Sequence, residues 1–252
     1  MNKELPAWRI GAIWGVLSAV GVLFAIPFLL TLMKDMPVQN RPPLPVLVFA
    51  SVMQTGVLSF VLAWLGTAAG RKMGVGSPLF EAWMTMRIVP VRKTFVGAAF
   101  WGALGGALVI ALDAVFARFM PAPLRTIPEP TPFQGLLAAF YGGISEEVMM
   151  RLGATTLAAW AMGKLVGFEK HRTLILGFGV VFGAVVFGVG HLPLASTIWP
   201  LNGVVVARIL VLNAVVGLLA GVTYVHRGLE HAVVLHFTAD IVLYVLRPLM
   251  LG

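Results

Sequence analysis

The chain has 252 residues, of which 59% are hydrophobic and 11% are charged. Soluble domains carry about 25% charged residues, so this chain is expected to place most of its surface in lipid. It has no cysteine, which excludes disulfide bonds, a thiol nucleophile and a cysteine-ligated metal. The net charge of +8 is spread over short segments between apolar runs. This arrangement favours anchoring at a lipid bilayer over binding to nucleic acid.

Seven apolar runs are long enough to cross the hydrocarbon core, which takes about 20 helical residues. They cover residues 10–33, 44–69, 94–119, 133–162, 173–190, 203–225 and 232–250. We therefore predict an all-α, polytopic membrane protein of about seven helices. Lys and Arg are more frequent in the loops on the N-terminal side, which predicts a multi-pass protein of the cell membrane with a cytoplasmic N-terminus.

Two stretches between the spans differ from the rest. Residues 71–93 interleave charges with large apolar side chains, which predicts an amphipathic segment along the interface; a solvated loop is the alternative. Residues 121–132 hold five prolines and cannot be helical. We expect this Pro-rich loop to separate the N-terminal helices, 1–120, from a C-terminal helical bundle, 133–252, that holds nearly all the unusual residues.

Some ionisable side chains fall inside predicted spans. A charge at the centre of a span costs about 2.5–3.5 kcal/mol, so each of these residues needs a partner or a function. They are Asp113, Glu146, Glu147, Arg151, His191, Arg208, His236 and Asp240. Asp113 is a candidate for a proton path, and Arg208 for extension to the surface or pairing with a buried acid.

The pair of glutamates in the fourth span has two different environments. Glu147 and Arg151 are four residues apart, so on a helix they face each other as an ion pair. Glu146 lies about 100° round the helix and has Met150, not a cation, four residues later. An acid without a local counter-charge is a candidate general base. The alternative is an ion pair that only joins two helices.

Two histidines add chemistry to these acids. His191 ends a glycine-rich run that begins at Phe187, and such small residues let a backbone or a substrate come close. His236 and Asp240 share one helix face, so Asp240 can hold the tautomer of His236. A carboxylate that activates water, with imidazoles that bind a metal or stabilise an oxyanion, suits hydrolysis. The alternatives are an interfacial histidine and a pair that only stabilises its helix.

These residues resemble the motifs of the CAAX protease and bacteriocin-processing family, also called CPBP or Abi, of intramembrane proteases. Its pattern is Glu-Glu-x-x-x-Arg, then Phe-x-x-x-His, then His-x-x-x-Asn/Asp, each on its own transmembrane helix. The chain has all three in this order within about 133–248. The resemblance implies a helical endopeptidase that cuts a membrane-associated protein or peptide. It also implies that Glu146 activates water, while Glu147 and Arg151 position it.

The resemblance leaves two kinds of chemistry open for the histidines. In one, His191, His236 and Glu146 hold a divalent metal ion such as zinc. In the other, Glu146 activates water without a metal and the histidines polarise the substrate carbonyl. In either case Asp240 supports His236 or faces the oxyanion. Prenyl-protein-processing members usually carry Asn at the position of Asp240, so this chain looks more like the bacterial members.

Two functions of other classes also fit the intramembrane charges. A proton-coupled transporter would relay protons along such Glu, His and Asp side chains. A non-catalytic membrane scaffold would use them only to join helices. A prenylated protein, a peptide precursor and a regulatory membrane protein are all compatible substrates of the protease.

Straight helices would place the three motifs at different depths. Glu146 falls near the middle of its span, His191 at the outer end and His236 near the cytoplasmic end. At about 1.5 Å per residue, side chains cannot bridge such differences. A shared site therefore requires either tilted helices or broken ones; Gly142 and Gly143 are the candidate position for a break, and the sequence does not choose between the two.

Overall fold

The computed structural model describes residues 5–34, 42–87, 92–124 and 128–251. This part of the chain is helical and has no β-strand. Six of its helices are long and apolar enough to cross a membrane. The prediction of an all-α polytopic membrane protein is therefore confirmed. The fourth predicted span, 133–162, is not among these six; it is a helical stretch that carries the two glutamates and the arginine of the first motif.

The α-helices of the described residues are numbered here in chain order. They are α1 (Ala7–Leu32), α2 (Leu44–Gly70), α3 (Pro78–Met84), α4 (Arg92–Phe116), α5 (Pro132–Phe140), α6 (Thr156–Val166), α7 (Arg172–Gly190), α8 (Leu192–Ser196), α9 (Gly203–Arg227), α10 (Leu229–Ile241) and α11 (Arg247–Leu251). The described residues also form three π-helical stretches, π1 (Tyr141–Glu146), π2 (Val148–Thr155) and π3 (Val242–Leu246). The first two join α5 to α6, and the third joins α10 to α11.

The stretch that carries the first motif begins at a well-defined cap. The Thr131 side chain accepts a hydrogen bond from the Gln134 backbone, and the Gln134 side chain accepts one from the Thr131 backbone. Pro132 occupies the first turn, where its missing N–H has no cost. This capping box ends the Pro-rich loop and fixes where α5 starts.

The N-terminal helices pack directly on the C-terminal ones. The Ser145 hydroxyl in π1 donates a hydrogen bond of 3.0 Å to the Ser18 carbonyl of α1. Gly66 of α2 lies against the backbone of Leu152 in π2, so closely that a Cβ would collide with it. On the other side, α4 packs against α9 and α10. The first three predicted spans therefore support the helices that carry the motifs.

A partly buried carboxylate, that of Glu230, connects α3 to the start of α10. Glu230 accepts hydrogen bonds of 2.7 Å from the Ser77 hydroxyl and from the Phe80 backbone N–H. The Ser77 hydroxyl also accepts one of 3.1 Å from the Trp14 indole of α1.

α3 has one buried face, while Trp83 is 68% exposed. The part of the predicted amphipathic segment at 88–91 lies outside the described residues.

The helix does not break at the candidate position, Gly142 and Gly143. The helix stays continuous, and both glycines lie inside π1, with π2 following directly. A π-helix bonds residue i to i+5 and so changes which side chains share a face. The helix thus adapts to its neighbours by widening over 141–155, not by breaking.

Candidate active site

Residues from all three motifs line a single cavity of about 660 Å³. Glu146 reaches it from π1, His191 from the end of α7, and His236 and Asp240 from α10. The different depths expected for straight, upright helices therefore do not keep these side chains out of a common cavity.

Glu147 and Arg151 lie behind the cavity wall. Both side chains are fully buried. Arg151 donates two hydrogen bonds to Glu147, from Nε to Oε2 at 2.9 Å and from Nη2 to Oε1 at 3.1 Å. This two-point geometry is the strong form of a carboxylate–guanidinium pair. The pair expected from the four-residue spacing is present, and it does not face the cavity.

Glu147 also holds His236. Its Oε1 lies 2.9 Å from Nδ1 of His236. Because a carboxylate paired with arginine accepts and does not donate, Nδ1 carries the hydrogen. We expected Asp240 to hold this tautomer, and the structure gives that position to Glu147. Residues 89 positions apart come together here, whereas the sequence shows only the neighbour four residues away.

The Nε2 atom of His236 faces two other carboxylates. Glu146 Oε2 lies 3.8 Å from it and Asp240 Oδ1 lies 3.7 Å from it. Both distances are too long for a hydrogen bond. The Glu146 side chain is 19% exposed, whereas that of Glu147 is fully buried. Of the two adjacent glutamates, Glu146 is therefore the one open to water and substrate.

The second histidine is also held through Nδ1. His191 Nδ1 lies 2.8 Å from the Phe187 carbonyl oxygen, which can only accept. Its Nε2 is therefore the nitrogen left for the cavity that His191 lines. The Phe187 ring stands edge-on to His191 and to His236, with centroid distances of 4.8 and 5.5 Å. Phe187 thus acts as an apolar spacer between the two imidazoles.

Two glycines let α10 approach the turn that carries Glu146. A Cβ on Gly143 would lie 2.9 Å from Phe237 Cβ and 3.2 Å from the Val233 carbonyl oxygen. A Cβ on Gly142 would collide with the Asp240 carboxylate. Such close contact between helices requires residues without side chains. The two glycines that were candidates for a helix break serve instead as the contact surface for α10.

The donor set does not fit a preformed metal site. A catalytic zinc takes three protein ligands at about 2.0–2.2 Å. Among the described residues, no three His, Asp or Glu side chains stand close enough to hold a metal ion. Glu147 is already engaged by Arg151 and His236. This arrangement therefore does not support a metal ion held by His191, His236 and Glu146.

Sequence reasoning missed two tyrosines and an asparagine in the cavity wall. Tyr141, Asn213 and Tyr244 all line it. Tyr141 precedes Glu146 by five residues, which is about one turn of a π-helix. Residues five positions apart do not share a face of an α-helix, so this spacing did not indicate that Tyr141 lies beside Glu146. Only the knowledge that 141–146 is π-helical could have pointed to Tyr141.

The two remaining intramembrane charges pair with each other. Arg208 Nη2 lies 2.6 Å from Asp113 Oδ1. The sequence marked each residue as needing a partner, and pairing with a buried acid was one alternative for Arg208. Because 95 positions separate them, nothing in the sequence paired the two.

Comparison with known proteins bears on the C-terminal part of the chain. A family model described as type II CAAX prenyl endopeptidase Rce1-like matches residues 128–242. All three motifs lie within the matched residues, which confirms the resemblance to the CAAX protease family. No curated protein and no solved structure matches the chain.

Proposed function

We propose that this chain is an intramembrane endopeptidase that uses Glu146 to activate the hydrolytic water, in keeping with the match of residues 128–242 to the Rce1-like type II CAAX prenyl endopeptidase model. The substrate is a membrane-associated protein or peptide whose scissile bond enters the cavity. The observation that carries the proposal is that Glu146 faces Nε2 of His236 across 3.8 Å in a common cavity. The Glu146 carboxylate, as general base, and the His236 imidazole, which would polarise the substrate carbonyl, therefore flank one space.

Glu146 and His191 hold the water in this proposal. Glu146 takes a proton as the water oxygen attacks the peptide carbonyl. His191 donates from Nδ1 to Phe187, so its Nε2 carries a lone pair in the neutral ring and accepts a hydrogen bond from the water. When the carbon–nitrogen bond breaks, Glu146 returns the proton to the leaving amine.

His236 stabilises the oxyanion in this proposal. With Nδ1 already donating to Glu147, the ring donates from Nε2 when it carries a second proton. The carboxylates of Glu146, Glu147 and Asp240 lie within 3.8 Å of the ring nitrogens and balance that positive charge. Glu147 and Arg151 act as positioning residues, because they are buried behind the wall.

The test uses purified protein in liposomes with a library of lipid-anchored peptides and mass spectrometry of the products. Glu146→Gln keeps the shape of the side chain and removes the base. We expect it to lower kcat by about 10²–10⁴, the range for loss of a general base. Glu169→Gln, at an exposed loop position, is the matched control and should cleave like the wild type. Equal rates for Glu146→Gln and wild type would refute the proposal, and pH-driven solute uptake without cleavage would favour a transporter.

A further inference from the structure

A second charged cluster lines the same cavity, away from the motifs. Asp113 of α4, Arg208 of α9 and Arg247 of α11 all belong to its wall. Arg208 approaches Asp113 Oδ1 at 2.7 Å from Nε and at 2.6 Å from Nη2. Arg247 Nη1 lies 3.8 Å from the other oxygen, Oδ2. We call these three residues the outer cluster.

The outer cluster has an excess of positive charge. Two guanidinium groups share one carboxylate, and the shorter contacts all go to Arg208. The Arg208 guanidinium also lies over the Trp199 ring, 5.2 Å from its centroid, which fixes its orientation. Arg247 has five N–H donors, and its contact with Asp113 is too long for a hydrogen bond. Its donors are thus available to an anion in the cavity.

The exposure of Arg247 and its distance from the motif residues are both compatible with a peptide bound in the cavity. The Arg247 side chain is 44% exposed, against 17% for each member of the Arg208–Asp113 pair. Arg247 follows Asp240 by seven helical residues, which corresponds to about 10 Å along the helix. A few residues of extended peptide cover this distance. One peptide can therefore reach the hydrolytic centre and Arg247 together.

We propose that the outer cluster is a subsite for an anionic group, and that its ligand is the terminal carboxylate of the peptide in the cavity. Arg247 binds the carboxylate through its planar fork of donors, while the Arg208–Asp113 pair holds the wall in shape. This assignment deepens the proposed function and rests on it. A phosphate of a lipid headgroup has similar chemistry, so the test must separate the two sources.

The first measurement is binding, which needs no cleavage. Acetyl-trileucine, as free acid and as carboxamide, is titrated against wild-type protein in phosphatidylcholine nanodiscs. We expect the free acid to bind about tenfold more tightly, as for a charge-assisted hydrogen bond. Arg247→Gln should bring the ratio of the two affinities close to one. Arg118→Gln, an exposed arginine that does not line the cavity, should keep the wild-type ratio.

A second variant and a lipid competition distinguish a folding defect and lipid binding from loss of the proposed subsite. If Arg247→Gln does not fold, Arg247→Lys keeps the charge without the planar fork and should give an intermediate ratio. Added phosphatidylglycerol should leave the acid preference unchanged. Competition by this lipid in wild type but not in Arg247→Gln would overturn the peptide assignment. So would equal affinities of wild type for acid and amide. Loss of cleavage in Glu146→Gln tests the hydrolytic proposal separately, because this binding ratio does not depend on it.

Discussion

Glu147 joins a structural pair and a site histidine in one network. It accepts hydrogen bonds from Arg151 and from His236 while fully buried. An uncompensated charge in such a place is very unfavourable, so each of the three groups depends on the others. The network explains how a residue outside the cavity can determine which nitrogen of His236 faces Glu146.

Removing Arg151 should therefore destabilise the fold. We expect Arg151→Met to lower the free energy of unfolding by about 3–5 kcal/mol, because the buried Glu147 loses its main counter-charge. Denaturant titration in detergent measures this change. Arg227→Met, at an exposed arginine, should have little effect. In the double variant Glu147→Gln/Arg151→Met the loss should be smaller than the sum of the single losses, and strict additivity would disprove the coupling.

The arrangement of ligand atoms also leads to a prediction about metals. Because the described residues include no three donors close enough to hold an ion, we expect cleavage to continue within twofold after dialysis against a strong chelator. Activity with and without restored zinc, beside elemental analysis of the purified protein, measures this. Loss of activity on chelation with full recovery on adding zinc would contradict the metal-independent mechanism.

At the scale of elements, the π-helical stretch and α10 form the core of the site. The contact between them depends on Gly142 and Gly143, where added Cβ atoms would meet α10. Small displacements of catalytic groups can cost about 10²-fold in rate. The distance between Glu146 and His236 is thus controlled by the closest packing of two helices.

A single methyl group tests this contact. Gly143→Ala should push α10 away through Phe237 Cβ, only 2.9 Å from the new Cβ, and lower kcat about tenfold or more. No charged group changes in this variant. Gly177→Ala is the matched control, because nothing lies within 4 Å of its added Cβ. Alanine there should leave cleavage unchanged and slightly favour the helix. Equal activity of the two variants would mean that α10 shifts without any loss of activity, and would contradict this prediction.

At the scale of the whole molecule, the N-terminal helices complete the cavity. Val22 of α1, Thr55 of α2 and Val109 of α4 line it together with the motif residues. These lining residues lie in the halves of their helices away from the N-terminal end of α1. The side of the membrane that the cavity faces thus follows from the orientation of the chain. The cytoplasmic N-terminus and the division into 1–120 and 133–252 stay predictions.

Composition alone predicted a helical membrane protein, because so few charges cannot cover a water-facing surface. The four-residue spacings of Glu147 with Arg151 and of His236 with Asp240 were also readable, since an α-helix repeats every 3.6 residues. They predicted the first pair correctly and suggested for Asp240 a contact that Glu147 makes instead. The order and type of the motif residues predicted the resemblance to the CAAX protease family that the family model supports over residues 128–242.

Only the tertiary structure decided which of these residues meet. The contact of Glu147 with His236 and the pair of Asp113 with Arg208 join residues 89 and 95 positions apart. No local periodicity records such contacts, because they depend on how helices tilt and how closely they pack. The π-helical turns at 141–155 were likewise not predictable from local periodicity, since a wider helix forms where its neighbours require it. Spacing along the chain determines a helix face, and packing between helices determines what that face touches.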